Sequence, residues 1–502
     1  MVGGSSSEDR SRGFDCTMAI VIALRSLARL TLLAGVVMGP LLACSSKDPV
    51  TEPAGPPDVD PTCAPAKQLG AQCVGVPDAP LCDADVCTPE GVECTSTIEV
   101  DTVDELVAAL DSASPGTCVA LLPGSYRVPV IVPAGVNVVG KGAGYVEVDS
   151  VEFTGGVSVM SGVTVTGGVI VAEGVQDVRI ESVLITGAPG IGLELKPGAA
   201  AKLFRCEIIG SVGDGVFAES AYLSMDQTLV SQSGGAGIWS QCQVGCGCVG
   251  TLDLTVSRVE LSTGMGVTMI GSKGSWDEVE VLDTAAGLGG SSGGLGITAC
   301  GDLKAKRLQV RDDTLSALAY GLLIDGGNAD IGGNVATEGF VVQGTMGGVW
   351  VMNLDETKLQ QVRLAYGLIQ SNRGVGIGLS GETKGYVIDW TIVKGTQLAN
   401  MMTPDGPADV GDGILWHEGA FASFSNLTLD GNARSSVLID GEVAAGSAFA
   451  NVTLQGGDEG KGIVQQSFTG GVMPAVPSGV PFTQQATQLH SVPPPPTAPV
   501  AK

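Results

Sequence analysis

The chain has few basic residues and almost no histidine. It carries 26 Lys and Arg residues against 53 Asp and Glu residues, so its formal charge is −27, and its two histidines are His417 and His490. Nucleic-acid phosphates and anionic lipid surfaces attract cationic proteins, so this balance argues against both kinds of partner. We therefore expect no nucleic-acid partner, and the acidic composition suits an extracellular protein.

Long apolar runs are also scarce, and the one near the start is Leu30–Leu42, which follows the basic residues Arg25 and Arg29. A basic flank before an apolar run too short for a permanent span is typical of an export signal. The run ends in Leu-Leu-Ala-Cys at Cys44, which resembles a bacterial lipobox, whose cysteine becomes the lipidated first residue. We predict that residues 1–44 are a signal peptide. The lipid would be the only anchor to the bacterial outer membrane, with the protein surface-exposed or periplasmic.

The start of translation is Met1 or Met18, since the polar residues before Met18 fit a signal peptide poorly.

The region between this signal and the repeats is divided by composition. Residues 45–62 are rich in Pro, Asp and Ser and predict a disordered linker, and residues 63–97 form a Cys-rich segment. Cysteines in an exported chain predict disulfides, and zinc is disfavoured because no histidine lies nearby. These cysteines, with the one that follows the segment, are Cys63, Cys73, Cys82, Cys87, Cys94 and Cys118.

Glycine is the abundant residue, and its 75 copies are too many for a helical protein. A signature of glycine, any residue, glycine and an apolar residue recurs at intervals of mostly 22 to 30 residues, with some copies lacking a glycine. A repeat of this length is one supersecondary unit that buries its apolar face only by stacking on its neighbours. The apolar anchors are Leu193, Val216, Ile238, Val267, Ile297, Leu322, Val349, Ile377, Ile414, Val437 and Ile463.

Each anchor opens a short run with β-strand alternation, shown most clearly by Leu193-Glu194-Leu195-Lys196. Turn residues separate these runs, and no helical periodicity lies between them, which disfavours a leucine-rich solenoid. The pattern predicts an all-β fold, a right-handed parallel β-helix over residues 98–469, with rungs ~4.8 Å apart. Before it, Thr102 to Ser112 has the capping box and apolar face of a helix that would cover the first rung.

Two glycine-rich stretches after this helix, Pro115–Tyr126 and Val130–Gly142, resemble the first rungs of pectin-lyase-like right-handed parallel β-helix proteins. With the repeats, the resemblance covers about Thr102 to Ser467. It implies the fold, but this fold carries lyases, hydrolases, epimerases and proteins without catalytic activity, so it implies no single function.

Catalytic candidates are few. Family hydrolases that resemble polygalacturonases carry a G-H-G motif, which neither histidine matches, and the motifs of family lyases are not recognisable. Asp214 and Asp412 both lie in Gly-Asp-Gly turns, but ~34 Å of coil separates them. Carboxylates that share a sugar lie roughly 5 to 9.5 Å apart, so these two are not partners. The best enzyme candidate is one rung with Asp412, His417 and Glu418, and the alternative is a solvated polar column.

Metal ligands are also sparse. Asp325, Asn328 and Asp330 offer oxygen ligands on one turn, so Ca²⁺ is the one ion we consider, against a plain solvated turn; no other cofactor is expected. The cluster Cys242, Cys246 and Cys248 predicts disulfides, with Cys206 or Cys300 as candidate partners. Of thirteen cysteines, two precede the linker, so the remainder is odd and at least one should be free or intermolecular.

Alternation sets an outward column one residue after each anchor, and Phe217 and Trp239 occupy it on adjacent rungs. Two stacked outward rings can form a platform for a sugar, with Glu219 and Gln241 at its edge to bind hydroxyl groups. The column is mostly apolar, so the alternative is burial under a loop, such as residues 243–250, or under a neighbouring chain.

Three functions remain open from the sequence. The first is a surface-exposed lipoprotein that binds extracellular carbohydrate or a surface partner without catalysis. The second is a carbohydrate-active enzyme, a polysaccharide lyase or a glycoside hydrolase. The third is a structural spacer. Residues 470–502 are rich in proline and predict a disordered tail.

Overall fold

The computed structural model describes the chain from the end of the Cys-rich segment onward. The described residues all fall within one compact unit. Cys44, the linker and most of the Cys-rich segment lie outside the described residues. No helix among the described residues has the length and apolar content needed to cross a membrane. The described ranges are 92–242, 250–285, 292–314, 320–353, 360–381, 385–417, 419–458 and 461–502.

Most strands pair in parallel with the strand one repeat later, and the chain passes through three sheets in each turn. Strands are numbered in chain order. Sheet 1 contains the strands that follow the glycine signature. Its strands are β4 (Val130–Val132), β11 (Leu193–Leu195), β14 (Val216–Glu219), β17 (Ile238–Gln241), β19 (Met265–Ile270), β21 (Gly293–Thr298), β24 (Tyr320–Asp325), β27 (Gly347–Met352), β30 (Val375–Ser380), β35 (Asp412–His417), β37 (Ser435–Asp440), β39 (Ile463–Gln466) and β40 (Phe482–Gln484).

Sheet 2 follows sheet 1 in each turn, and sheet 3 completes the turn. Sheet 2 contains β1 (Ser96–Val100), β2 (Thr117–Leu121), β5 (Asn137–Gly140), β7 (Val159–Ser161), β9 (Val178–Glu181), β12 (Ala200–Phe204), β15 (Tyr222–Asp226), β22 (Asp302–Lys306), β25 (Asn328–Ile331), β28 (Val362–Ala365) and β31 (Tyr386–Asp389). Sheet 3 contains β3 (Gly124–Tyr126), β10 (Leu184–Thr186), β13 (Glu207–Ile209), β16 (Leu229–Ser231), β23 (Gln309–Arg311), β26 (Phe340–Gln343), β29 (Gly367–Gln370) and β32 (Ile392–Lys394).

Some long strands bend around a corner and belong to two sheets. Sheets 3 and 1 share β6 (Val146–Phe153) and β8 (Thr164–Val171). Sheets 2 and 3 share β18 (Thr251–Glu260), β20 (Lys273–Leu282), β36 (Ser423–Asp430) and β38 (Ala448–Gln455). One antiparallel hairpin, β33 (Ala399–Thr403) and β34 (Gly406–Val410), projects from the coil, and a 3-10 helix spans Ala336–Glu338.

The register confirms the predicted parallel β-helix. Val216 pairs with Ile238 and Ile238 pairs with Val267, and all three are fully buried in one continuous core. One anchor is misplaced in the sequence prediction, because Leu295 rather than Ile297 pairs with Val267. The error is two residues, so Ile297 still points inward and is fully buried.

The predicted helix α1 spans Val103–Ser112 and lies at the first turns of the coil. Its N-cap Thr102 accepts a hydrogen bond from the backbone N–H of Glu105 at 3.3 Å. Leu106 and Leu110 on its apolar face are buried in the core, as a capping helix requires. A disulfide between Cys94 and Cys118 ties the start of the described chain to β2.

The corner between sheets 3 and 1 explains the glycine signature. A Cβ on Gly192 would lie 2.6 Å from the carbonyl oxygen of Gly215 on the next rung and 2.6 Å from the hydroxyl of Ser211. The same corner carries buried polar side chains that bond to one another. Asn432, for example, donates to Asp458 at 2.7 Å. Glycine is thus required where a rung lies directly on its neighbour and on this polar column.

The proline-rich residues 470–502 pack against the coil, which corrects the disordered tail that composition predicted. Strand β40 pairs with β39 as the last strand of sheet 1. The chain then turns back along the outer face of sheet 1, where Gln466 contacts His490 and Gln241 contacts Lys502. Composition missed this because the segment has little apolar surface of its own and packs on apolar surface provided by the strands.

Candidate functional site

An open groove of about 580 Å³ lies on the outer face of sheet 2, across β22, β25, β28 and β31. We call it the sheet 2 groove. Its floor spans four successive rungs, of which three supply polar and charged side chains and the fourth supplies Gly385 and Val387. The polar and charged side chains are Asp302, Lys304, Asn328, Asp330, Gln361 and Arg363.

The strand register arranges these side chains in two parallel columns. Lys304, Asp330, Arg363 and Val387 face one another on successive rungs. Two residues earlier on the strands, Asp302 pairs with Asn328. Alternation directs both columns to the same side of the sheet, while Ile331 and its neighbours point into the core. Four rungs span ~14 Å from first to last.

Hydrogen bonds hold the floor of the groove. The guanidinium of Arg363 donates to Asp330 Oδ1 and to the carbonyl of Gly333, both at 2.8 Å. The backbone N–H of Gln361 donates to Asn328 Oδ1 at 3.0 Å. The Asp330 side chain remains 51% exposed and the Arg363 side chain 34% exposed. The pair is therefore solvated, and both residues keep free hydrogen-bonding positions toward the groove.

A stacked aromatic pair follows the groove at the corner between sheets 2 and 3. Tyr366 and Trp390 lie on adjacent rungs with ring centroids 6.2 Å apart and planes within 6°. They come three residues after Arg363 and Val387, and Trp390 is 38% exposed. Both have positive φ, but so do Arg205 and other residues at this corner, so the conformation is a property of the corner rather than of a site.

The three calcium candidates do not form an open ligand set. Asn328 and Asp330 line the sheet 2 groove, but each already accepts a hydrogen bond from the next rung. Asp325 ends β24 in sheet 1 and so belongs to a different sheet. The described residues contain no group of three or more His, Cys, Asp or Glu side chains that could hold a metal ion. Calcium binding stays a prediction from the sequence.

Asp412 is buried and fully engaged. It is 0% exposed, forms an ion pair with Arg434 and accepts a hydrogen bond from Ser435 Oγ at 2.6 Å. The predicted solvated column is therefore wrong for this residue, and a carboxylate so held is not positioned to reach a substrate. Asp214 is similar, because it accepts the backbone N–H of Ala236 at 2.8 Å and pairs with Lys502.

His417 is largely buried as well. Its ring lies 6.1 Å from that of Trp350, and its Nε2 is buried and makes no hydrogen bond within the described part of the chain. Burial lowers the pKa of His417, and the nearby Asp440 opposes that shift. Glu418, the third member of the proposed rung, lies outside the described residues. The carboxylate beside His417 among the described residues is Asp440 on the next strand, which accepts hydrogen bonds from Gln466 and Ser467.

The predicted aromatic platform has the expected register but is covered. Phe217 pairs with Trp239, and Glu219 pairs with Gln241. Trp239 is only 7% exposed and Gln241 only 1%. The cover is Lys502, whose ammonium lies 4.2 Å from the centre of the Trp239 ring. The sequence offered residues 243–250 as the alternative cover, and of these only Gly250 belongs to the described residues.

Two cysteine predictions have outcomes. Cys206 is free and buried, as the odd number of cysteines required, and it is not a disulfide partner. Cys242 and Cys300 are disulfide-bonded.

The sheet 2 groove was not predicted from the sequence, because the repeat signature marks only the strands of sheet 1. A signal was present, because Lys304 and Arg363 occupy outward positions of short alternating runs.

No protein-family profile matches the sequence, and no curated protein sequence matches it. Among solved structures, the chain is similar to the catalytic unit of a thermostable GH87 alpha-1,3-glucanase from Streptomyces thermodiastaticus strain HF3-3, with 16% identity, a TM-score of 0.43 and coverage of 73% of this chain and 69% of that one. It is also similar to the A-module of the Azotobacter vinelandii mannuronan C-5 epimerase AlgE4, with 14% identity, a TM-score of 0.34 and coverage of 78% and 96%. Identities and scores this low say nothing about activity.

Proposed function

We propose that the protein is an exported, lipid-anchored β-helix protein that binds an extended carbohydrate in the sheet 2 groove without transforming it. The observation that carries this proposal is the floor of the groove, where donors and acceptors from three successive rungs share one open surface with the apolar Val387 of a fourth. Sugar hydroxyl groups both donate and accept hydrogen bonds, so they match a surface that offers both.

The chemistry of each column supports a sugar ligand. Lys304 and Arg363 supply cationic donors, Asp302 supplies a carboxylate acceptor, and the Gln361 side chain has both an amide donor and a carbonyl acceptor. Val387, 40% exposed, adds an apolar contact at one end. A few placed polar groups beside an apolar patch are typical of small-ligand sites. The ~14 Å length of the floor favours a chain of sugars over a single ring.

The absence of catalysis is part of the proposal and rests on where the candidate groups lie. Asp412 is held in an ion pair with Arg434, and His417 is largely buried beside Trp350. General acid–base catalysis needs a group within hydrogen-bond reach of the substrate. The carboxylates that do reach the groove are solvated, and Asp330 is already bound by Arg363.

A glycoside hydrolase is the second candidate, and one observation favours it. Asp302 lies one rung before Asp330 and two residues earlier along the strand. Rung and residue spacings place their backbones ~8 Å apart. Carboxyl groups of an inverting glycosidase lie ≈ 6.5–9.5 Å apart, a range that side chains on these two backbone positions can reach.

A polysaccharide panel, scored for both binding and release of reducing or unsaturated ends, tests the proposal. Lys304→Ala and Arg363→Ala should each weaken binding about tenfold, because each removes a charge-assisted hydrogen bond. Lys202→Ala, on β12 of the same sheet and also exposed, is the matched control and should leave affinity unchanged. Equal effects of Lys202→Ala and Lys304→Ala would rule out the groove as the site.

The same panel separates the two candidates. If chain ends are released, and if Asp302→Asn and Asp330→Asn each stop that release while binding persists, the protein is a hydrolase. Binding without any release supports the non-catalytic proposal.

The lipid anchor is the remaining part of the proposal and rests on the sequence before the repeats. Cys44→Ser should move the protein out of the membrane fraction and abolish labelling with fatty acid. Retention of both properties in that variant would show that Cys44 is not the anchor.

A further inference from the structure

The outer face of sheet 1 carries a second apolar cluster, separate from the core of the coil. We call it the sheet 1 groove. It is unusual because its outward side chains are shielded from water: the most exposed of its buried members, Trp239, is only 7% exposed. The cluster runs over successive rungs from β17 to β37. Its most buried members are Tyr320, Leu323, Trp350, Leu415 and Leu438.

Residues 489–502 cover this groove. At one end, Gln466 Oε1 accepts the backbone N–H groups of Leu489 and His490 at 3.0 and 2.9 Å, and Gln466 Nε2 donates to the His490 carbonyl at 2.7 Å. Arg434 donates to the Ser491 carbonyl at 3.0 Å. Val492 then enters the apolar cluster and is 6% exposed.

Lys502 fixes the other end of the segment. Its backbone N–H donates to Gln241 Oε1 at 2.9 Å, and Gln241 Nε2 donates back to the Lys502 carbonyl at 3.3 Å. Its ammonium pairs with Asp214 and lies 4.2 Å from the centre of the Trp239 ring. Asp214, Trp239 and Gln241 are each at least nine-tenths buried and together bind one primary ammonium group, while the Lys502 side chain stays 43% exposed.

The length of the segment matches the distance between these two ends. Strand pairing places Gln466 eight rungs from Gln241, which is ~38 Å. Twelve steps from His490 to Lys502 in polyproline II geometry, at 3.1 Å each, cover ~37 Å. Five of these residues are proline. The segment is therefore extended, and its prolines set its reach.

We propose that the sheet 1 groove is a binding site for a proline-rich peptide, filled here by residues 489–502 of the same chain, which bind and leave as a ligand. Aromatic-lined grooves recognise polyproline II segments because such segments lose little entropy on binding. The ligand that fits has an apolar residue at the start, prolines between and a lysine ten residues after the apolar one. Release of the segment exposes Trp239 and Trp350 together.

Two observations separate a bound ligand from a part of the folded core. No residue of 489–502 belongs to the core of the coil, whereas Val492 and Ala498 pack in the sheet 1 groove alone. The polar contacts described above lie at the two ends, and proline has no N–H to pair with a strand. Ala486–Gln488, just before the segment, are exposed and provide a point for cutting.

The test uses the full chain with a protease recognition sequence inserted between Thr487 and Gln488. After folding and cutting, the coil should keep its β-sheet circular dichroism while the segment dialyses away. A fluorescent synthetic peptide of residues 489–502, amidated at its end, should then bind the cut protein and fail to bind the uncut protein.

Substitutions in the peptide and in the coil test whether the peptide binds through Lys502. Lys502→Ala in the peptide, and Asp214→Asn in the coil, should each weaken binding tenfold or more, since Asn at 214 keeps an acceptor for Ala236 but loses the charge. Val500→Ala is the matched control, because Val500 is 78% exposed, and should change affinity less than twofold. Three results would overturn the proposal: a segment that leaves only when the coil unfolds, a cut protein that does not bind the peptide, or equal effects of Lys502→Ala and Val500→Ala.

Discussion

Substitution of the two glycines of one signature should have opposite consequences, although they lie two residues apart at the same corner. Gly192 is in direct contact with the next rung: an added Cβ would lie 2.6 Å from Gly215 O, from Ser211 Oγ and from Ile208 Cγ2. An added Cβ on Gly190 would meet nothing within 4 Å. Neither glycine has a positive φ, so backbone strain does not contribute to the comparison.

These contacts set the expected change in unfolding free energy for each variant. Real Cβ atoms essentially never approach other heavy atoms below 3.0 Å, and one of the three neighbours of Gly192 is backbone that cannot rotate away. Overpacking of a close-packed interior costs typically 1–3 kcal/mol, so we expect Gly192→Ala to destabilise the coil by about that amount. Gly190→Ala should be neutral or stabilising by up to ≈ 1 kcal/mol, because it restricts the unfolded chain without a clash.

Denaturant unfolding measures the stability of both variants. A lower midpoint for Gly192→Ala at an unchanged slope reports a loss of stability rather than a change in the surface exposed on unfolding. If the two variants unfold at the same midpoint, the close stacking of rungs is not the reason for the second glycine of the signature.

Three further predictions test the core, the segment and the free thiol. Val216→Asp and Ile297→Asp each place an unpaired carboxylate at a fully buried position and should cost several kcal/mol of stability in the same assay, about the typical cost of such a change; wild-type unfolding of either would contradict the register. Burial, and then the nearby Arg434, lower the pKa of His490 in the docked segment, so docking should be strongest above the free-imidazole pKa of about 6.5 and weaken as the pH falls below it; His490→Gln should reduce this dependence in tryptophan fluorescence titrations. Burial raises the pKa of the Cys206 thiol to about 12, so Cys206 should react with a thiol reagent only after denaturation, and rapid labelling of the native protein would show that the site opens.

The fold was predictable because its main signal is local and repeated. Each copy of the signature places an apolar anchor at the same point of a rung, and this was enough to assign sheet 1 and the direction of its side chains. The error at Ile297 arose because β21 reads Gly-Gly-Leu-Gly-Ile, which contains two apolar residues in the same phase of alternation. Such a shift is invisible to a pattern of period two.

The sites were less predictable because they depend on contacts between distant parts of the chain. Trp239 and Lys502 are far apart in sequence, and their contact depends on the number of rungs between Gln241 and Gln466. Similarly, Lys304 and Arg363 become neighbours of Asp330 only once the register of sheet 2 is known. The sequence did contain the sign that something covers sheet 1, since its outward column is mostly apolar, but not which segment does so.

The docked segment makes the length of this coil a fixed quantity. Solenoids ordinarily gain and lose repeats with little penalty, because each repeat contacts only its neighbours. Here a thirteen-residue strap, from His490 to Lys502, is tied at both ends of an eight-rung interval. One more rung would lengthen that interval by ~4.8 Å, which is more than one residue of polyproline II covers. The segment already extends over the whole interval, so it has no spare length to span the added rung. Docking therefore selects the number of rungs: a coil with a rung more or fewer between Gln241 and Gln466 could bind the segment at both ends only if the number of residues between His490 and Lys502 changed as well.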